Sequence, residues 1–187
     1  AVIAVLLALF FAYAVRLYSG LVWVNRLLGF GYALPGAVLA IGILSFLEWM
    51  QLAWWISASV AVLVYAYLVR FLSSSLQSVE EGLNRVTPAM DQSAALLGLT
   101  QWGILKRVHI PLIRRSLVTA GLFVFVDVMK ELPATLLLRP FNFDTLAVAT
   151  YQLAADERLS ELGLPALTIV LAGLVPVLVL SKIISQK

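Results

Sequence analysis

The feature that most constrains this chain is a set of long apolar runs separated by one long polar interval, residues 73–115. Hydrophobic residues make up 62% of the 187 residues, charged residues only 12%, and the mean hydropathy is +0.99. Soluble domains carry roughly 45–50% apolar residues. Because a chain of this size cannot bury so much apolar surface in a core of its own, we expect the lipid bilayer to be its solvent.

The apolar segments predict an all-α membrane protein, a bundle of about five transmembrane helices. The predicted spans are residues 1–15, 32–46, 52–72, 116–138 and 162–184. A spanning helix needs roughly 20 residues, so the second span must extend through residues 47–50 to cross. The chain begins within an apolar run and without Met, which is typical of a fragment. We treat residues 1–187 as a single transmembrane domain that contains the polar interval as a cytoplasmic loop.

The basic residues predict an orientation, since Lys and Arg concentrate on the cytoplasmic side of membrane proteins. If the polar interval is cytoplasmic, ten basic residues lie on its side and three on the other. The ten are Arg16, Arg26, Arg70, Arg85, Lys106, Arg107, Arg114, Arg115, Lys182 and Lys187, and the three are Lys130, Arg139 and Arg158. The N-terminus is then outside and the C-terminus cytoplasmic, and Trp49, Trp54 and Trp55 lie near the outer boundary.

Within the polar interval, turn-forming residues predict short helices joined by tight turns. Residues 78–85 form a first helix, which ends at Thr87 because the residue before a proline disfavours the helical conformation. Pro88 then begins a second helix, capped by Thr87, that runs to a left-handed turn at Gly98. A third helix is expected over residues 101–108, ending before Pro111. On composition alone, an ordinary cytoplasmic loop is an equally good explanation.

The spacing of residues in this interval matches a known signature. The chain has Gln92-Ser93-Ala94, three residues, Gly98, nine residues, Val108, one residue and Ile110-Pro111. This resembles the signature loop of the membrane subunits of binding-protein-dependent ABC importers, which reads Glu-Ala-Ala, three residues, Gly, nine residues, Ile, one residue, Leu-Pro. In that family the loop forms coupling helices that dock into a groove of the cytoplasmic ATPase. Gln92 and Ser93 replace Glu and Ala, which removes a charge from the signature.

Two further runs resemble the iron(III)-transport permease branch of that family. They are residues 31–36, Gly-Tyr-Ala-Leu-Pro-Gly, and residues 125–135, which continue through Leu138-Arg139-Pro140 to residues 143–146. The resemblance implies the C-terminal half of a bacterial inner-membrane permease that moves ferric iron. It also implies three protein partners: a cytoplasmic ATPase dimer, a periplasmic solute-binding protein, and a second permease half or subunit.

Three ionisable residues fall in the fourth predicted span. Asp127, Lys130 and Glu131 are spaced i, i+3 and i+4, which predicts one helical face. Charges within a span usually face a bundle interior or a watery cavity, so this face is a candidate lining of the translocation path. The alternative is that Asp127 and Lys130 pair with each other and only orient the helix. Pro133 is positioned to break the helix beside them.

The remaining polar residues carry less information. His109 is the only histidine, and its neighbours in sequence suggest a loop residue without a chemical role. The segment 144–161 is either an amphipathic surface helix that receives the delivered substrate or a plain connector. We expect neither a cofactor nor a resident metal site, because no oxygen-ligand cage is visible and the chain has no cysteine.

Several function classes are excluded by what the sequence lacks. It has no P-loop, so we expect ATP hydrolysis to be carried out by a partner and this chain to be a transport subunit without catalytic residues. Its basic residues follow no nucleic-acid-binding pattern. Thiamine, phosphonate, sulfate and polyamine remain alternative cargoes on the same fold. A small channel, or a scaffolding membrane protein that oligomerises through glycine faces, is a further alternative, but a channel needs no cytoplasmic loop of this length.

Overall fold

The structure, a computed structural model, describes residues 1–51 and 59–185, apart from the side chains of residues 19, 179, 180 and 182–185. Within these residues the chain is helical and contains no strand. The helices are α1 (Val2–Leu17), α2 (Val22–Gly29), α3 (Gly36–Trp49), α4 (Val60–Leu83), α5 (Pro88–Leu96), α6 (Gln101–Ile104), α7 (Ile110–Met129), α8 (Pro133–Leu138), α9 (Leu146–Ala155) and α10 (Leu159–Ser185). Short 3₁₀ turns cover Ser19–Leu21 and Phe30–Ala33.

The centre of the fold is a three-helix packing of α1, α4 and α7. Its largest core cluster combines small residues of α1, such as Ala8 and Ala12, with larger residues of α4, such as Leu76 and Val79. Ala120 contributes a fully buried small side chain from α7. Small residues at a helix interface let the backbones approach closely, which is the main source of packing in a lipid environment.

Two helices, α4 and residues 159–178 of α10, are long and apolar enough to cross a membrane. The segments Val22–Ala33 and Gly36–Trp49 meet that test only together, and they are bent by 112° at the break between them. Two to three spans therefore satisfy the length and composition criteria in the described residues. α1, with 16 residues, is a shorter apolar helix. The chain is an all-helical membrane protein, as the sequence predicts.

The predicted spans differ from the helices in three places. The second span, residues 32–46, is wrong at its start, because residues 32 and 33 belong to a 3₁₀ turn and α3 begins only at Gly36. The third span was placed at residues 52–72, of which 52–58 lie outside the described residues, as do Trp54 and Trp55. From Val60 its helix continues to Leu83, so the separate helix expected at residues 78–85 is wrong. The polar residues after Phe71 did not end α4 because Leu72, Leu76, Val79 and Leu83 keep one face packed in the core.

The fourth predicted span, residues 116–138, is not one helix. α7 ends at Met129, and α8 begins at Pro133 after a three-residue break. Pro133 lacks an N–H group and its ring is accommodated at the first turn of a new helix, so the chain restarts there. The fifth predicted span, residues 162–184, lies within α10 even though Pro165 and Pro176 are inside that helix.

Candidate functional site

The first candidate site is the elbow, which we define as residues 88–111. The boundaries of its first half agree with the sequence, although the Thr87 side chain, at the N-cap position, makes no capping hydrogen bond. Thr87 is extended, Pro88 begins α5, and Gly98 has φ of +81°. The N–H of Gly98 donates to the carbonyl of Ala95, and the N–H of Leu99 donates to that of Ala94. This pair of bonds is a Schellman motif, which requires a left-handed residue where Gly98 stands.

The second half of the elbow differs from the prediction. The helix expected to end before Pro111 instead continues through a π-helical turn, Leu105–His109, into α7. The N–H of Ile110 donates to the carbonyl of Leu105, five residues back. A proline in a regular α-helix clashes with the carbonyl four residues earlier, and the wider π turn relieves that clash. The elbow is therefore joined to α7 without a break.

The residues of the signature divide between the inside and the outside of the elbow. Ala94 is buried, Val108 and Ile110 are half-buried, and the other four are exposed. The exposed four are Gln92, Ser93, Gly98 and Pro111. Beside them the tip of the elbow presents large apolar side chains to solvent. Leu96 is 89% exposed and Leu97 is 83% exposed, and Trp102, stacked under the Lys106 ammonium, is also exposed.

Arg16, at the end of α1, fixes the elbow to the bundle. Its guanidinium donates to the carbonyl oxygens of Leu83 (2.8 Å) and Val86 (2.7 Å), where α4 ends. It also donates to Oδ2 of Asp91 in α5, from Nε at 3.0 Å and from Nη2 at 2.8 Å. Arginine is suited to donating several hydrogen bonds at once because its guanidinium donors are held in a rigid plane. The Leu83 carbonyl thereby gains a second bond beside the one from the Val86 N–H, and the Val86 carbonyl, three residues past the end of α4, gains a partner.

Asp91 connects Arg16 to His109. Oδ1 of Asp91 lies 2.5 Å from Nε2 of His109, whose ring is only 1% exposed and packs edge-on against Tyr13. Burial by itself raises the pKa of Asp91, but the hydrogen bonds and charges of His109 and Arg16 outweigh it and lower the pKa. The expectation that His109 is a loop residue is wrong. Its partners come from other helices, so sequence neighbours gave no signal for them.

The elbow and the bundle also share one apolar core. Leu105 of the elbow, and Val86 just before it, belong to the same buried cluster as the α1 and α4 residues. The Tyr13 hydroxyl also donates to the carbonyl of Gln101 at 2.8 Å. Close-packed interiors have low compressibility and transmit strain. We therefore expect a displacement of the elbow to move α1, α4 and α7 with it.

The second candidate site is an ion pair between α4 and the break after α7, in which the carboxylate is buried and the guanidinium is half-buried. Nη1 of Arg70, close to the midpoint of α4, lies 2.8 Å from Oε1 of Glu131, which is 5% exposed. The same carboxylate oxygen accepts the backbone N–H of Ala134 at 3.1 Å, which caps the start of α8. A buried charge of this kind is tolerated because it is both paired and hydrogen-bonded.

The two sequence runs that resemble the iron(III) branch meet at this pair. A Cβ atom at Gly36 would lie 1.9 Å from Nη1 of Arg70 and 2.6 Å from Oε1 of Glu131. Only a glycine at the start of α3 therefore leaves space for the pair. On its far side, the Thr135 hydroxyl donates to the Glu131 carbonyl and lies 2.6 Å from the Tyr67 hydroxyl. The bent α2–α3 segment, α4 and the α7–α8 break are joined at one point.

The expectation that Asp127, Lys130 and Glu131 share one helical face is wrong, because α7 ends at Met129. Lys130 pairs with Asp127 at 2.9 Å, while Glu131 turns inward to Arg70. The pairing of Asp127 with Lys130 is the alternative that the sequence left open. Arg70 was the residue that the sequence did not single out, since it lies 61 positions before its partner.

These contacts also remove two basic residues from the ten-to-three comparison that predicted the orientation. Arg70 was assigned to the cytoplasmic side and Lys130 to the outside, yet Arg70 and the break that contains Lys130 adjoin each other near the middle of α4. Neither residue then reports on orientation. The side chains of Lys182 and Lys187 lie outside the described residues. No group of three or more His, Asp or Glu side chains in the described part of the chain is placed to hold a metal ion.

The sequence of this chain is similar to those of several known proteins. The Fe(3+)-transport system permease protein FbpB 2 of Haemophilus influenzae is 29% identical over 170 residues, which are 90% of this chain and 33% of that protein. The chain is similar to transport-system permease proteins over most of its length. The putative 2-aminoethylphosphonate transport system permease protein PhnV of Salmonella paratyphi A is 26% identical over 152 residues, or 81% of this chain and 56% of that protein. The PhnV protein of Salmonella typhimurium matches to the same extent.

The chain thus spans from a third to just over half of the length of these relatives. No family model matches it. The resemblance to transport permeases, an iron(III) permease among them, is confirmed.

Proposed function

We propose that this chain is the membrane-spanning part of an ATP-driven ABC importer permease in a bacterial inner membrane. Its partners are a cytoplasmic ATPase dimer, a periplasmic binding protein and a second permease half. The chain itself carries out no catalysis. The observation that carries the proposal is the elbow, a rigid helical turn that is fixed to three helices of the bundle and exposes Leu96, Leu97 and Trp102 at its tip. Exposed apolar side chains on a helix end are typical of docking into a groove of another protein.

Ferric iron is the cargo that we propose first. The iron(III) permease relative covers 90% of the chain, and it combines the greatest coverage with the highest identity among the relatives given above. The phosphonate permeases match 81% of the chain, so 2-aminoethylphosphonate is the second candidate. In either case Asp127 and Lys130 are proposed to line the path, and Glu131 to hold the helix break beside it.

The docking proposal predicts opposite effects for two substitutions at Gly98. Gly98→Val forces a β-branched residue into the left-handed region, which costs about 1–2 kcal/mol, whereas Asn tolerates that region. No other atom lies within 4 Å of a Cβ atom at this position, so the effect is conformational and not steric. We expect Gly98→Val to insert normally and to lose co-purification of the ATPase and solute uptake, and Gly98→Asn to retain both. Equal ATPase recovery from the two variants would refute the docking assignment.

We propose that the elbow faces the cytoplasm, with the N-terminus of the chain outside and its C-terminus inside. The remaining basic residues of the elbow, together with its proposed ATPase partner, support this orientation. On a cysteine-free background, Leu97→Cys should resist an impermeant thiol reagent in intact cells and react in inverted vesicles. Asp156→Cys, exposed after α9, should show the reverse. The opposite labelling pattern would contradict both the orientation and the docking site.

A further inference from the structure

A cleft with a volume of ≈ 810 Å³ and both polar and apolar lining residues opens between α2, α4, α7 and α10. Its polar lining comes from three of these helices and is unusual in a chain that is otherwise so apolar. The residues that bear on its chemistry are Asn25 of α2, Ser73, Ser74 and Glu80 of α4, and Asp127 of α7 with Lys130 beside it. In a lipid-embedded bundle such a surface is tolerated where it meets water or a solute.

Asn25 is the most informative residue of the cleft. It is 8% exposed, and its Nδ2 donates a short hydrogen bond to Oε1 of Glu80. Because a carboxylate can only accept, this bond fixes which end of the amide faces Glu80. Oδ1 of Asn25 is then left buried with no hydrogen-bond partner among the described residues. An unpartnered buried acceptor costs free energy, so a ligand that supplies a donor or a positive charge there is favoured.

The charges of the cleft select the kind of ligand. The Lys130 ammonium is already paired with Asp127 at 2.9 Å, which leaves the Glu80 carboxylate as the uncompensated charge of the lining. Hydroxyl oxygens of Ser73 and Ser74 lie on the same wall. Amide, hydroxyl and carboxylate oxygens are the ligands that hard cations prefer, and they accept hydrogen bonds from an ammonium group equally well.

We propose that this cleft is a binding station for the positively charged part of the transported solute, with Oδ1 of Asn25 and the Glu80 carboxylate as its contacts. The proposal rests on the transport function proposed above and adds a site to it. A ferric ion and the ammonium end of 2-aminoethylphosphonate both meet its requirement, whereas a purely anionic solute does not.

The test compares Glu80→Gln with Glu81→Gln in the full permease, assembled with its ATPase and binding protein. Glu80→Gln keeps an oxygen that accepts the bond from Asn25 but removes the charge, and Glu81 is exposed and does not line the cleft.

Initial uptake of radiolabelled ferric iron and of 2-aminoethylphosphonate is measured against the concentration of loaded binding protein. For the transported solute we expect the maximal rate of Glu80→Gln to fall about tenfold, the effect of losing one charge-assisted contact of about 1.4 kcal/mol. Glu80 lies three residues before the end of α4, on the side proposed to be cytoplasmic, so half-saturation by the binding protein should not change. Glu81→Gln should match the unmodified permease.

Asn25→Leu is the second variant in this test of the cleft. It keeps the volume but removes both the unpartnered oxygen and the Nδ2 donor to Glu80. A purely structural role therefore predicts a change in thermal stability only, with uptake per assembled complex unchanged. A binding role predicts uptake per assembled complex reduced about tenfold, whatever the change in stability. If Glu80→Gln and Asn25→Leu both transport like Glu81→Gln, the station is refuted and the importer function stands. If the unmodified permease recruits no ATPase and moves neither solute, the importer function itself fails.

Discussion

Glu131→Gln is expected to destabilise the protein more than any other single change of charge in the described residues. The substitution leaves the Arg70 guanidinium, whose side chain is only 20% exposed, without its counter-ion, and Nε of Arg70 already has no partner among the described residues. Removing one member of a buried ion pair typically costs about 3–5 kcal/mol. We expect this loss in the free energy of unfolding, measured by thermal or denaturant unfolding in detergent micelles.

Two further variants test whether the loss of stability comes from the Arg70–Glu131 pair itself. Arg70→Met combined with Glu131→Gln removes both charges and should recover much of the lost stability. Lys130→Gln breaks the Asp127 pair, whose lysine side chain is 61% exposed, and should cost no more than about 1 kcal/mol. A double variant as unstable as Glu131→Gln alone would show that the pair does not account for the effect.

Gly31→Ala is the second substitution from which we expect a large effect. A Cβ atom at Gly31 would lie 1.9 Å from the carbonyl oxygen of Val69 and 3.0 Å from its carbonyl carbon. These are backbone atoms in the middle of α4, so they cannot move aside as a flexible side chain would. The 3₁₀ turn Phe30–Ala33 must instead lift away from α4, which separates the bent α2–α3 segment from the Arg70–Glu131 pair. Overpacking of this kind costs about 1–3 kcal/mol or more.

Gly42→Ala is the matched control for Gly31→Ala. Gly42 is inside α3, and nothing lies within 4 Å of a Cβ atom at that position. Alanine in a helix interior is favoured over glycine by about 0.5–1 kcal/mol, so this variant should be neutral or slightly more stable. Melting temperatures of the two variants, determined in the same detergent, test the contrast. Equal melting temperatures would mean that the close approach at Gly31 is not required.

The sequence was sufficient to predict the structure where the interactions that determine it are local. Thr87-Pro88 and Gly98 specify the start and end of α5 through steric effects within a few residues, and the structure has both boundaries as predicted. Composition alone indicated a helical membrane protein, because so large an apolar fraction has no other solvent. Pro133 likewise marked the position of the break after α7.

Local reasoning failed where side chains from distant parts of the chain meet. The helix around Pro111 continues because a π turn, supported by packing of Leu105 in the shared core, shifts the hydrogen-bond register. His109 received no chemical role because its partner Asp91 is on another helix. The periodicity of residues along one helix does not predict a contact between side chains of two different helices.

What the sequence by itself determined is the solvent of the protein, its helical class and the turns of the elbow, each fixed by composition or by neighbouring residues. What only the tertiary structure decided is which charges pair. Arg16 meets Asp91 across 75 positions and Arg70 meets Glu131 across 61. The physical reason is that such pairs depend on the rotation and depth of whole helices, which are set by the packing of α1, α4 and α7 and by the break before Pro133. A one-residue shift of a helix by about 1.5 Å, with its rotation of about 100°, would point each side chain elsewhere.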